Sequence, residues 1–159
     1  LMGPMSQALF PRMSYLISLH DIDSARRLFI RSLWATMVVA GSASLAIFIL
    51  ADWLVLIFGG SNFADAAPVL RWLAPMPLLV GLSNLFGVQI ILPRKRLRAF
   101  NTILIVAAIS GLLLIFPMTQ WLKTAGAAIT LLTVEAGVTI SMAIYIKTRK
   151  LLDAGTKSE

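Results

Sequence analysis

The chain contains no cysteine and a single histidine, His20. Without cysteine, neither a disulfide framework nor a thiolate metal site can form, and His20 has no partner at metal-ligand spacing. Charge is also scarce: 13% of the 159 residues are charged, against about a quarter in an ordinary soluble domain. With 58% hydrophobic residues and a mean hydropathy of +0.87, the composition predicts an integral membrane protein without a metal or other cofactor.

A short basic segment, Pro93-Arg94-Lys95-Arg96-Leu97-Arg98, separates two long uncharged stretches. The stretches 74–92 and 99–122 contain no Asp, Glu, Lys or Arg. Each is about as long as the ~20 residues with which a helix crosses the hydrocarbon core of a bilayer. We therefore interpret the basic segment as a loop between two membrane spans, and we expect it on the cytoplasmic side, where Lys and Arg accumulate.

Hydropathy and turn residues divide the chain into one partial and four full spans. They cover about residues 1–19, 32–58, 73–92, 99–118 and 125–146. This pattern predicts an all-α, polytopic transmembrane helical bundle over residues 1–150, followed by a polar cytoplasmic tail over 151–159. Residues 20–31 are expected to lie at the membrane interface and 59–72 to form an external segment.

The Lys and Arg residues fall unequally on the two predicted sides. Twelve lie on one side: Arg12, Arg26, Arg27, Arg31, the four of the basic segment, Lys147, Arg149, Lys150 and Lys157. The other side has two, Arg71 and Lys123. This asymmetry indicates a multi-pass membrane protein with a cytoplasmic C-terminus. Clusters that flank apolar spans favour contact with membrane lipids, and no nucleic-acid partner is expected.

Glu135 is the only ionisable residue deep in a span, where a charged carboxylate is costly. At about 100° per residue, Glu135 and Thr139 project from nearly the opposite side of the helix to a stripe of small residues. That stripe consists of Thr130, Thr133, Gly137 and Ser141. The carboxyl group is interpreted either as part of a substrate or ion path or as a protonated or hydrogen-bonded structural group.

Three other polar residues are candidates for the same path. Asn84 and Gln89 lie about 140° apart around one helix, so they cannot line one narrow face, and we expect at least one of them to hydrogen-bond to another helix. Arg12 could hold a phosphate group or could be an arginine at the membrane boundary. No grouping of Ser, His and carboxylate residues and no Gly-rich phosphate loop is present, so the sequence does not predict an enzyme.

Two stretches carry a family resemblance. The first is Pro4-Met5-Ser6-Gln7-Ala8-Leu9-Phe10-Pro11-Arg12-Met13-Ser14. The second runs from Phe58-Gly59-Gly60 through Phe63-Ala64-Asp65-Ala66-Ala67-Pro68-Val69-Leu70-Arg71-Trp72-Leu73, and Leu82-Ser83-Asn84 and Gly87-Val88-Gln89 follow it. They resemble the polysaccharide (O-antigen, Wzx-type) flippases of the multidrug/oligosaccharidyl-lipid/polysaccharide exporter superfamily. The match covers most of residues 3–100.

The resemblance implies a MATE-like transporter of two six-helix lobes, in which this chain forms part of the C-terminal lobe, from a partial eighth span to the twelfth. The first lobe and the seventh span are then missing, so we expect a fragment or a truncated product. Such proteins move undecaprenyl-pyrophosphate-linked oligosaccharides across the cytoplasmic (inner) membrane of a bacterium by alternating access, for surface polysaccharides such as the O-antigen of lipopolysaccharide. The implied partners are the lipid-linked oligosaccharide, membrane lipids, the missing N-terminal lobe and the polysaccharide polymerase machinery.

The resemblance also implies that polar cavity residues hold the pyrophosphate and sugars while an ion gradient drives transport. Arg12 and Glu135 are the candidates, with Asn84 and Gln89. Two alternatives remain open from the sequence: a drug or cation exporter of the same superfamily, and a membrane scaffold fragment that transports nothing.

Overall fold

A computed structural model describes residues 11–19, 21–149 and 151 of the chain. The first ten residues, His20, Lys150 and residues 152–159 of the predicted tail, with Lys157, lie outside the described residues, and so does the Pro4–Phe10 part of the first motif. Every regular element that is described is helical, in agreement with the predicted all-α class. Helices of a length and composition able to cross a membrane cover Asp23–Gly59, Ser61–Ile91 and Leu97–Thr148.

The elements follow one another with short connections. Helix α1 covers 11–18, α2 covers Ile22–Gly59, a 3₁₀ helix covers Ser61–Ala66, α3 covers Ala67–Leu73, α4 covers Met76–Phe86, a π-helix covers Gly87–Ile91, and α5 covers Leu97–Thr148. The predicted interfacial segment and second span therefore form one helix, α2. The predicted external segment is itself helical, as the 3₁₀ helix and α3.

Helix α2 begins where the sequence offers an N-terminal cap. The backbone N–H of Ser24 donates a hydrogen bond to Asp21 Oδ1 at 3.0 Å, which satisfies a donor that the first turn leaves without an intrahelical partner. The hydrogen bonds from Ser24, together with the nearby charge of Arg27, hold the pKa of Asp21 below its ordinary value. No Pro or Gly then interrupts the chain before Gly41, so the helix continues into the membrane span.

Helix α4 starts at two prolines. Pro75 is its N-terminal cap residue and Pro77 lies in its first turn, where the missing N–H of proline costs no intrahelical bond. The next free donor, the N–H of Leu78, donates to Ser44 Oγ of α2 at 3.2 Å. The prolines therefore begin α4, and Ser44 of α2 supplies the hydrogen-bond acceptor that the first turn of α4 lacks.

Helix α5 breaks at Lys123, whose φ of 52° and ψ of −129° are not helical. Residues 97–122 form its first limb and 124–148 its second limb, each about 25 residues long, enough to cross a bilayer. A Cβ on Gly126 would lie 2.0 Å from the Met118 carbonyl oxygen, and one on Gly111 would lie 3.1 Å from the Val134 side chain. Since the residue number falls on one limb as it rises on the other, the limbs form an antiparallel hairpin.

The buried hydrophobic cluster joins α1, the start of α2, the end of α4 with its π-helix, and the second limb of α5. It includes Met13, Phe29, Ile91 and Ile146. The basic segment and the basic residues at the start of α2 and the end of α5 lie close to this cluster along the chain. Elsewhere the long helices expose large apolar side chains, for example Phe58 at 85% and Trp121 at 82%. Lipid tails can solvate such a surface, whereas water cannot.

Candidate polar site between α4 and α5

Glu135 lies halfway along the second limb of α5. It is twelve residues from Lys123 and twelve from Lys147, about 18 Å from each at 1.5 Å per residue. Its side chain is half-buried. The carboxyl group therefore lies near the middle of the apolar part of the helix, where a charge needs a partner or a cavity.

The partner of Glu135 is Ser83 of α4. The Ser83 hydroxyl donates a hydrogen bond to Glu135 Oε1 over 2.5 Å. Ser83 is 7% exposed, so the contact lies within the interface between the two helices. The carboxyl group that the sequence singled out thus points at another helix, and its described contact is a neutral hydroxyl group.

A second hydrogen bond joins the same two helices one turn away. Thr139 Oγ1 lies 3.2 Å from the Leu79 carbonyl oxygen of α4 and 2.9 Å from the Glu135 carbonyl oxygen of its own helix, so its one hydrogen can be donated to either. Ser83 pairs with Glu135 and Leu79 with Thr139, so α4 and the second limb run antiparallel. In an apolar solvent, hydrogen bonds and close packing hold helices together, since lipid tails are as apolar as the side chains.

The small residues of the second limb face a different neighbour. Thr133, Gly137 and Ser141 line a groove of about 280 Å³ between the two limbs, opposite Thr102 and Ser110. The prediction that these small residues lie on a different side of the helix from Glu135 and Thr139 is confirmed for Thr133, Gly137 and Ser141. Thr130, the fourth residue of the stripe, is buried and does not line the groove. The hydroxyl groups of Thr133 and Ser110 donate to carbonyl oxygens of their own helices, so this groove presents a largely apolar surface.

Asn84 and Gln89 follow Ser83 along the third predicted span. Asn84 Nδ2 donates to the Val80 carbonyl oxygen in its own helix at 2.9 Å, so the hydrogen bond expected to another helix is absent among the described contacts of this residue. Gln89 is 3% exposed, and its Oε1 atom has no hydrogen-bond partner among the described residues. It lies in the π-helix, a geometry often found at functional positions.

Arg12 lies on α1, and its side chain is exposed. No hydrogen bond or ion pair joins it to any described residue. The structure therefore brings Glu135 together with Ser83 and Thr139, but shows no such contact for Arg12, Asn84 or Gln89. No group of three potential His, Cys, Asp or Glu metal ligands occurs within the described part of the chain.

Sequence reasoning missed the role of Ser83. A serine in an apolar span commonly serves close packing, and α4 carries no charge that marks one of its faces. The available signal was indirect: Glu135 needs a polar partner at the same depth, and α4 has only Ser83 and Asn84 with polar side chains. Choosing between them requires the rotation of α4 about its axis, which only the packing defines.

Comparison with known proteins places this geometry in a biological context. The chain is 38% identical over 152 residues to a protein of Escherichia coli (strain K12) named "Putative O-antigen transporter". The match covers 96% of this chain and 36% of that protein, so the chain spans about a third of the length of this relative. No family model and no solved structure matches the chain.

The relative is named as a transporter, in agreement with the prediction that the chain is not an enzyme. Together with long apolar helices, the match supports a multi-pass bacterial membrane protein. Over the region that this chain represents, the resemblance to the O-antigen flippase-type transporters is confirmed.

Proposed function

We propose that the chain is part of a transporter that moves undecaprenyl-pyrophosphate-linked oligosaccharide across the bacterial cytoplasmic membrane by alternating access, for the synthesis of surface polysaccharides. The observation that carries this proposal is the match along 96% of the chain to an O-antigen transporter. The partners are the lipid-linked oligosaccharide, membrane lipids and the remaining helices of a MATE-like transporter. The C-terminus lies in the cytoplasm.

The structure supports a transport role through the position of Glu135. The described spans contain one carboxyl group at mid-depth, and it lies at an interface between two helices. A carboxyl group at mid-membrane depth is costly to keep in a purely structural role, because an apolar pair of similar volume would pack there without that cost. We assign Glu135 to the substrate or ion path, with Ser83 as its partner.

Complementation of cells that lack their polysaccharide flippase tests the proposal. The longest reading frame that contains this chain is expected to restore surface polysaccharide, and Glu135→Gln is expected to reduce it at equal abundance in the membrane. Asp65→Asn is the matched control, because it neutralises an exposed carboxylate in the 3₁₀ helix, within the segment predicted to lie outside the membrane. Arg12→Ala, run in parallel, tests the arginine of α1.

Insertion of the full-length protein without recovery of polysaccharide in any tested strain would contradict the flippase assignment. Recovery with Glu135→Gln at the level of the unaltered protein would leave the flippase assignment in place and remove Glu135 from the path.

A further inference from the structure

The hydroxyl group of Ser83 has two acceptors within reach. Glu135 Oε1 lies 2.5 Å from Ser83 Oγ, and the Val80 carbonyl oxygen of the same helix lies 3.2 Å from it. A serine hydroxyl has one hydrogen to donate and two lone pairs with which to accept. Ser83 can therefore donate to one of these acceptors at a time, and a rotation about its Cβ–Oγ bond moves the donation from one to the other.

This geometry gives Glu135 a hydrogen bond to Ser83 in both of its protonation states. As a carboxylate, Glu135 accepts the hydrogen bond from Ser83. As a carboxylic acid, it can donate its own O–H to Ser83 Oγ, while the Ser83 hydrogen turns to the Val80 carbonyl oxygen, which also accepts from Asn84 Nδ2. Neither state leaves the Ser83 hydroxyl without a hydrogen-bond acceptor, so the cost of an unpaired buried hydroxyl is avoided in both.

The surroundings of Glu135 contain no described counter-charge. No Asp, Glu, Lys, Arg or His occurs in α4, in α2 between Arg31 and Asp52, or in the first limb between Arg98 and Lys123. On the second limb, the nearest titratable groups are Tyr145, about 15 Å along the helix, and the lysines at about 18 Å. Hard metal cations take about six oxygen ligands, whereas among the described residues the carboxyl group has one side-chain hydrogen-bond partner, Ser83.

We propose that Glu135 and Ser83 form a reversible proton-binding site. Uptake of a proton from water forms one O–H bond on the Glu135 carboxylate, and the hydrogen bond donated by Ser83 passes from Glu135 to Val80. Release reverses both changes. The contact between Thr139 Oγ1 and the Leu79 carbonyl oxygen involves no atom of the carboxyl group. This inference deepens the proposed function, and its use in transport rests on that function, but the binding of the proton is measurable without transport.

Infrared difference spectroscopy of the purified full-length protein in lipid nanodiscs, recorded between neutral and acidic pH, tests the site. A carboxylic C=O band that is lost in Glu135→Gln is expected. In Ser83→Ala this band should shift in frequency, because the carboxyl group has lost its hydrogen-bond partner. Ser83→Thr, which keeps a hydroxyl group, should restore the frequency.

Thr139→Val is the matched control, since it removes the other hydrogen bond between the helices without touching the carboxyl group. An unchanged band in Ser83→Ala, or an equal shift in Thr139→Val, would overturn the role of Ser83. The absence of any band that depends on Glu135 would overturn the site itself. That outcome is distinct from failure of the proposed function, which complementation measures independently.

Discussion

The Met118 carbonyl oxygen lies so close to Gly126 that a Cβ at Gly126 would be 2.0 Å from it. Since backbone cannot yield to a methyl group as a flexible side chain can, the hairpin of α5 requires glycine at this position. On the same limb, a Cβ added to Gly137 would meet no atom within 4 Å. The backbone contact therefore requires glycine at position 126 but not at position 137, although the sequence presents both as small residues of one helix.

Replacement of Gly126 by alanine is expected to lower the free energy of unfolding by about 1–3 kcal/mol or more, because the two limbs must move apart. Gly137→Ala, the matched control, should leave stability unchanged or raise it by up to about 1 kcal/mol, since alanine favours a helix over glycine. Thermal unfolding in detergent measures both. Equal effects of the two substitutions would show that the limbs do not approach as described.

Lys123 provides the turn between the limbs with a φ of 52°, in the left-handed region that favours glycine. Lys123→Gly should raise the free energy of unfolding by roughly 1 kcal/mol, because it removes the backbone strain of a residue with a side chain. Lys123→Ala, which removes the charge but keeps a Cβ, should show no such gain. A gain of the same size in both variants would assign the effect to the charge.

The buried Oε1 atom of Gln89 has no described partner. Leaving a buried acceptor unpaired costs about 1–3 kcal/mol, so Gln89→Met should preserve or increase stability. Asn84→Leu should instead lower it by about 1 kcal/mol, because Asn84 donates a hydrogen bond to Val80. If Gln89→Met is stable yet fails in complementation, Gln89 serves transport; a marked loss of stability would mean that its oxygen is paired.

The orientation in the membrane can be tested with introduced cysteines, because this chain has none of its own. In a cysteine-free full-length protein, Ser61→Cys should react with a membrane-impermeant maleimide added to intact cells, whereas Arg96→Cys should react only after the cytoplasmic side is opened. Both positions are exposed, so accessibility within the fold is matched. Labelling of Arg96→Cys in intact cells would contradict the proposed topology and indicate the opposite orientation.

Much of the helical architecture follows from one-dimensional patterns. The apolar stretches around the basic segment correspond to α4 with its π-helix and to the first limb of α5, and the turn expected near Lys123 is where α5 breaks. The effect of Pro75 and Pro77 was harder to predict, since a proline can bend a helix or begin one. Ser44, which is distant in sequence, supplies the hydrogen bond that lets α4 begin there.

The sequence by itself determined that this chain is a membrane protein. Long uncharged apolar stretches favour lipid over water, and in lipid a helix satisfies the hydrogen bonds of its backbone internally. The sequence also identified Glu135 and the side of the helix that Glu135 shares with Thr139, since these follow from composition and the fixed angle per residue. Only the tertiary structure decided that Ser83 contacts Glu135 and that Gly126 touches Met118. Those contacts depend on the rotation and depth of one helix against another, which side-chain packing defines and a linear pattern does not.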